Sequence, residues 1–517
     1  MYKLGIDVGG TNTDAVLIDE NLNVVASIKQ HTSSNIYDGI LNAVRTVLDE
    51  SGVDRSKIVQ AMLGTTQCTN AIVERKNLAP IGIMRIGAPA TMGIPLMVDW
   101  AEDLKAIAVK TAIIGGGFEY DGKELATFDV AAATEFFNEL KSKDVKSVAI
   151  SCVFSTVRND HELEAAKLCK EIMGEDVHVS ISSEIGSMGL IERENATILN
   201  AALYKVAESF TEGFAKSLAD EGITNAEVYL SQNDGTLMTM EYARRYPILT
   251  IACGPTNSIR GASYLSQLKD AIVIDVGGTT TDLGVIQNGF PRESGIAVTI
   301  GGVRTNFRMP DVVSIGLGGG SIVRQKEDGT VTVGPDSVGY QITEKALCFG
   351  GDVCTTTDIA VRLGLTELGD KSLVAHLDEE FANKAMAEIR ALCEDSIDAM
   401  KVSSDDVDVI LVGGGSIILP EDLAGAKSVT KHPHGGVANA IGSAISKVSG
   451  TYEQLIDYNE IPREEALAQA RAAAIELAVE AGAIRETVEI IDAEDVPLQY
   501  YPGNTARVKI KAAGDLA

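Results

Sequence analysis

The chain has no cysteine pattern that would staple it or hold zinc. Its seven cysteines are scattered, odd in number and without a CxxC pair, so they read as reduced thiols. An HExxH motif, a metal-ligand triad and a Ser-His-Asp arrangement are missing too, which leaves metalloprotease and serine-hydrolase chemistry without its parts. There is no basic run in a sequence of formal net charge −29. Such a surface repels nucleic acid and anionic membranes, and neither is expected as a partner. No apolar run is long enough to span a bilayer. The opening MYKLGIDVGG reads as a strand and a turn rather than a leader, so a cytoplasmic setting is the expectation.

Glycine is what the chain has in quantity, 50 residues gathered in short runs. Clustered glycine marks backbone that turns sharply or lets a ligand approach. Two of the runs are one repeat. DVGGTNTD (Asp7–Asp14) and DVGGTTTD (Asp275–Asp282) agree at seven of eight positions, and each lies between two strand-like segments. A repeat at this distance predicts a duplicated half-molecule rather than a short solenoid.

A strand–Gly-Gly–strand hairpin turns successive backbone N–H groups toward an anion, and nearby hydroxyls add donors. The predicted phosphate contacts are Gly9, Gly10, Thr11, Asn12 and Thr13 in the first copy and Gly277, Gly278, Thr279 and Thr280 in the second. The leading Asp7 and Asp275 cannot touch phosphate directly, because like charges repel. Their expected task is to hold Mg²⁺ against the phosphate oxygens. Two such hairpins face to face would grip a triphosphate from both sides. A third run, Gly413-Gly414-Gly415-Ser416, follows the buried strand Val407–Val412. There the absent side chains would let a purine lie on the backbone, although a tight strand-to-helix turn explains the same glycines. The small residues of Val437–Gly442 predict a helix packed closely at a junction between lobes.

Three lookalikes carry less. Gly117–Glu124 imitates a P-loop but ends in Glu124 where a Ser or Thr is needed, and it reads as a turn. His432-Pro433-His434 lacks a third ligand. The acidic helix from Asp378 reads as a solvated face. Strands and helices otherwise alternate, as in an α/β protein. The predicted divisions are residues 1–195, with the first hairpin, 196–450, with the second hairpin and the adenosine glycines, and a small α+β subdomain over 451–517.

The order of hairpin, hairpin, glycine shelf and small-residue helix resembles the actin/sugar-kinase/heat-shock-chaperone superfamily. Within it, the chain is similar to the hydantoinase A / 5-oxoprolinase family. The similarity lies in GIDVGGTNTDAVLID, in Gly64–Lys76, in Ile191-Glu192-Arg193, in Ile315–Ser321 and in Thr356-Thr357-Asp358. It departs from the family at Ala252–Asn257 and at Val313, where the family commonly carries a histidine. The resemblance implies a two-lobed α/β ATPase with ribonuclease-H-like halves. It also implies ATP and Mg²⁺ as cofactors and the ATP-dependent opening of a cyclic amide or imide such as a hydantoin, 5-oxoproline or a lactam, by phosphorylation of the amide oxygen. Asp7 and Asp275 are then the central carboxylates, and Glu192 and Arg193 candidates for the substrate side. A small-metabolite kinase and an ATP-driven reactivating chaperone are alternatives on the same fold. A hydantoinase B-like subunit is the expected partner, with a second copy of the chain as another. The stripe Arg507, Lys509, Lys511 offers a docking surface for it, or else an edge strand blunted by lysine.

Overall fold

The computed structural model describes residues 1–10, 12–32, 36–294, 297–307, 309–498 and 503–516. Thr11, one of the predicted phosphate contacts, lies outside them.

Each copy of the octapeptide closes a hairpin between two strands. Tyr2–Val8 pairs antiparallel with Asn12–Asp19, and Ala271–Val276 with Thr281–Gln287. The turns match as well: Gly9 N–H donates to the Asn12 carbonyl at 3.0 Å, and Gly277 N–H to that of Thr280 at 2.9 Å. Around each hairpin the sheet grows on one plan. A third strand, Val24–His31 or Val312–Ile315, adds antiparallel on the outer side. A parallel strand, Ile58–Thr65 or Val407–Val412, adds on the inner side, followed by Glu227–Ser231 or Ala426–Lys431. The duplicated ribonuclease-H-like halves are therefore present, and the α/β, two-lobed reading holds.

The segmentation differs from the sequence reading in three places. Between the fourth and fifth strands of the first lobe sits an insert with its own parallel sheet, in the order Ala108–Gly115, Ile81–Ala88, Ser147–Cys152, His178–Ile181. It has its own apolar core around Phe136, Phe137 and Ile150. The division at 195 falls inside the helix Leu190–Ala202. That helix and Tyr204–Asp220 are the crossover that a parallel strand requires, so Glu227–Ser231 belongs to the first lobe.

The tail forms the expected α+β unit, but not an independent one. Val448–Asp457, Thr505–Gly514 and Glu489–Pro497 extend the first lobe's sheet to nine strands among the described residues. Ala466, Ala470, Ala474 and Ala478 lie on one face of the helix Arg463–Glu480 and pack with Met62, Tyr229 and Leu237 of the first lobe. Lys509 and Lys511 are buried: Lys509 Nζ lies 2.6 Å from Glu293, and Lys511 Nζ 3.0 Å from Glu293 and 2.9 Å from Asp234. They are internal struts, not an exposed docking stripe.

Two helices exchange lobes. Cys253–Ser266 follows the first sheet in sequence but packs on the second through Ile259 and Ala262. Ala438–Ile445 follows the second sheet but packs on the first through Ala440, Ile441 and Ala444. Among the described residues, no helix is long and apolar enough to cross a membrane.

Candidate active site

The two hairpins converge on one cleft of about 360 Å³. Their aspartates are handled alike. The parallel neighbour of Asp7 is Gly64, and the residue that continues the neighbour strand beside Asp275 is Gly413. A Cβ on Gly64 would collide with Asp7 Oδ1, and one on Gly413 with Asp275 Oδ1. Glycine at both places makes room for a carboxylate beside the strand end.

Adjacent residues of the lobe-crossing helix Cys253–Ser266 then reach both carboxylates. Asn257 Nδ2 donates to Asp7 Oδ1 at 3.3 Å, while Ser258 Oγ donates to Asp275 Oδ2. From the other crossing helix, Asn439 Nδ2 donates to Asp7 Oδ2 at 3.0 Å. Asp7 is buried, and burial together with the nearby Asp14 charge lifts its pKa to about 6. Burial raises Asp275 and Asp14 as well, with Lys29 opposing the shift at Asp14. Asp14 lies opposite Asp7 in the hairpin and holds the Lys29 ammonium at 2.6 Å on Oδ2. Its Oδ1 is buried without a partner among the described residues. Anions gathered and desolvated in this way favour a cation.

The hairpin carbonyls are occupied on the far side. Gly319 N–H donates to the Gly277 carbonyl at 3.0 Å and Gly320 N–H to that of Gly278 at 2.7 Å. In a trans peptide the N–H points opposite to the C=O. The amides of Gly278 and Thr279 are thus turned away from the 318–320 block, and both residues line the cleft. In the first hairpin Thr32 Oγ1 takes the Gly9 carbonyl at 2.8 Å, which turns the Gly10 amide the opposite way. A Cβ at Gly10, Gly278, Gly414 or Gly436 would meet nothing within 4 Å. The glycines leave open space at these turns. Ile342, Phe349, Leu368 and Ile417 give the second-lobe end an apolar wall.

Of the predicted residues, Gly9, Asn12, Asp275, Gly277–Thr280 and Gly413–Gly415 line this cleft, while Gly10 and Asp7 do not; Asp7 is buried and bonded to Asn439, which does. Thr13 does not: it is fully buried, with its hydroxyl 3.2 Å from that of Thr32. In a strand, residue 13 faces the opposite side from Asn12 and Asp14. Ser416 sits in the 3-10 turn Gly414–Ile418 and is not among the lining residues. Glu192 and Arg193 lie elsewhere. Glu192 edges a second cavity of about 640 Å³ with Arg304 and Asn306. Arg193 is buried and spends its guanidinium on Ser182 Oγ and the carbonyls of Ser187 and Cys152, 2.9–3.1 Å away. It is a structural tie.

The sequence reading gives no site role to Asp14, Lys29, Thr32, Gly64, Asn257, Ser258 or Asn439. Asp14 was legible as the last residue of the repeated octapeptide. The others reach the site only through pairing and helix crossing.

Models of one family match two long stretches: the hydantoinase/oxoprolinase N-terminal region over residues 3–173 and the hydantoinase/oxoprolinase domain over 193–403. The chain belongs to the hydantoinase/oxoprolinase family. Among relatives, caprolactamase subunit alpha of Pseudomonas jessenii is 27% identical over 384 residues, covering 70% of this chain and 54% of the relative. The acetophenone carboxylase gamma subunit of Aromatoleum aromaticum is 24% identical over 398 residues, covering 70% and 53%. The chain thus spans about half the length of these curated relatives. The solved ATP-dependent caprolactamase of Pseudomonas jessenii superposes with a TM-score of 0.80 at 20% identity, over 100% of this chain and 88% of that one. That likeness establishes a shared fold.

Proposed function

We propose that this chain is the ATP-binding, carbonyl-activating component of an enzyme that opens a cyclic amide. The observation that carries the reading is the convergence of two matched Asp-Gly-Gly hairpins and the Gly413–Gly415 shelf on one cleft, in a family whose members include a caprolactamase.

The residues fit a magnesium nucleotide. Amides turned off the 277–279 and 9–10 peptides suit phosphate oxygens, and the open glycine faces leave space for them. The apolar wall at Phe349 and Leu368 suits a base. Asp275, Asp14 and the recessed Asp7 would hold Mg²⁺, directly or through water. When bound, the ion would neutralise charge on the phosphates.

An amide carbonyl is a poor electrophile. Attack of its oxygen on the terminal phosphorus, with departure of ADP, converts it to an imidate phosphate. Water can then add at carbon and the C–N bond breaks to leave an acyl phosphate, which a second water cleaves to the ring-opened acid and inorganic phosphate. The chain's contribution is alignment and charge neutralisation in the cleft between the hairpins. The groups assembled here serve the phosphoryl step, and a base to aim the second water is not evident among them. A B-like partner subunit supplying the hydrolytic half is therefore part of the proposal.

The test is ADP release with a panel of hydantoins, lactams, 5-oxoproline, ketones and polyols, with products identified by mass spectrometry. Amide-dependent ADP release with a ring-opened acid, enhanced by the neighbouring subunit, supports the reading. A stable phosphorylated polyol would make the chain a kinase. ATP turnover indifferent to all small molecules would favour a reactivating chaperone.

A further inference from the structure

The two hairpins are near-copies, but the strands beside them are not. Asp14 is flanked in register by Asp7 on one side and Lys29 on the other. Asp282, its counterpart, is flanked by Asp275 and Ser314. A lysine therefore stands in the first lobe where the second has a serine.

Lys29 is also the one cationic side chain lining the cleft among the described residues, in a chain of net charge −29. Its ammonium is 2.6 Å from Asp14 Oδ2, and its side chain remains 34% exposed. It lies close enough to Asp7, Asp14 and Asp275 to stabilise the charge on all three. A lysine needed only to neutralise Asp14 would have no reason to face the space between the lobes. With three donors on a flexible stem, an ammonium can share a carboxylate and a phosphate at once.

We infer that Lys29 is the residue by which the cleft tells a nucleoside triphosphate from a diphosphate: it keeps Asp14 in place and donates to the outermost phosphate group. The inference rests on the nucleotide reading above and extends it. A diphosphate offers hairpin amides the same backbone contacts but lacks the terminal group that the ammonium would meet. The asymmetry between Lys29 and Ser314 places this discrimination at the first hairpin alone.

The experiment is calorimetric binding of ADP and of a non-hydrolysable ATP analogue, both with Mg²⁺, to wild type, Lys29→Met and Lys29→Arg. Loss of one charge-assisted contact predicts that Lys29→Met weakens the triphosphate analogue about 10- to 100-fold and ADP less than about 3-fold. Lys29→Arg should restore most of the difference. Equal weakening of both ligands would mean that Lys29 merely supports the hairpin through Asp14, and no weakening of either would mean that it faces no phosphate. Each of these overturns the inference while leaving nucleotide binding intact. Failure of the wild type to bind either nucleotide overturns the nucleotide reading instead. ADP binding by the variant reports that it is folded. Should Lys29→Met not fold, Lys29→Gln keeps a neutral donor for Asp14 without the ammonium charge, and the same loss of discrimination is expected.

Discussion

Gly442 and Gly261 meet back to back where the two lobe-crossing helices cross. A Cβ on Gly442 would stand 2.9 Å from the Gly261 nitrogen and strike the Asn257 carbonyl, and one on Gly261 would strike the carbonyl of Ala438. Backbone therefore packs on backbone, and the same turns of helix deliver Asn257, Ser258 and Asn439 to the two aspartates. A glycine crossing of this kind tolerates small rotations, which suits hinge closure on a ligand.

Gly442→Ala should cost about 1–3 kcal/mol by overpacking, read by chemical denaturation. Because the crossing sets the spacing of Asp7 and Asp275, the variant should also lose nucleotide-dependent compaction in small-angle scattering. Wild-type stability in the variant would show that the helices separate easily and that the crossing does not fix the cleft.

Asp7→Asn should separate folding from binding. Ionised Asp7 is disfavoured in the fold, since its pKa stands near 6; an asparagine there keeps one oxygen for Asn439 and turns its amide toward Asn257, whose Oδ1 is buried without a partner among the described residues. At pH 7.5 the unliganded variant should be at least as stable as wild type. The thermal shift given by Mg²⁺-ATP, which follows mass action, should shrink. Asp275→Asn should shrink it too. An undiminished shift in both would remove these carboxylates from the site.

Asp282 gives a pH signature. Burial, with the Asp275 charge adding to it, raises its pKa to about 6, above the unfolded value near 4. Between those values the native state holds the extra proton, so stability is lost as pH rises through the window and the full cost stands above about pH 6. Asp282→Asn should therefore match wild type near pH 4 and exceed it by up to about 3 kcal/mol at pH 7. A stability difference independent of pH would contradict this.

The tail should prove inseparable. Deleting residues from Thr451 onward removes most of the three strands that continue the first lobe's sheet and unpairs Lys511 from Asp234 and Glu293. Insoluble or unfolded product is expected, rather than a folded chain that merely loses a partner. Lys511→Met alone takes the ammonium from the buried Asp234 while Glu293 keeps that of Lys509, and should cost about 3 kcal/mol. A folded, nucleotide-binding truncation would show that the tail is autonomous after all.

The repeated octapeptide, read with alternating strands and helices, was enough to determine a duplicated α/β chain with two matched Asp-Gly-Gly hairpins. Their glycines and aspartates are local signals: a turn that needs no Cβ and a carboxylate at a strand end are written in consecutive residues. The glycine shelf after Val412 was legible for the same reason. What the sequence could not assign is whatever depends on which segment lies beside which. Thr13 looked like a phosphate donor until strand alternation turned it inward, and Glu192 and Arg193 were carried by a block similarity that says nothing of direction. Lys29 is brought to Asp14 by register across a hairpin. Gly64, Asn257 and Asn439 are drawn to Asp7 from positions tens to hundreds of residues away. The tail lysines looked like a surface stripe because alternation alone does not reveal which face a sheet will cover. Burial, pairing and the exchange of helices between lobes are properties of the packed chain, and they decided the site.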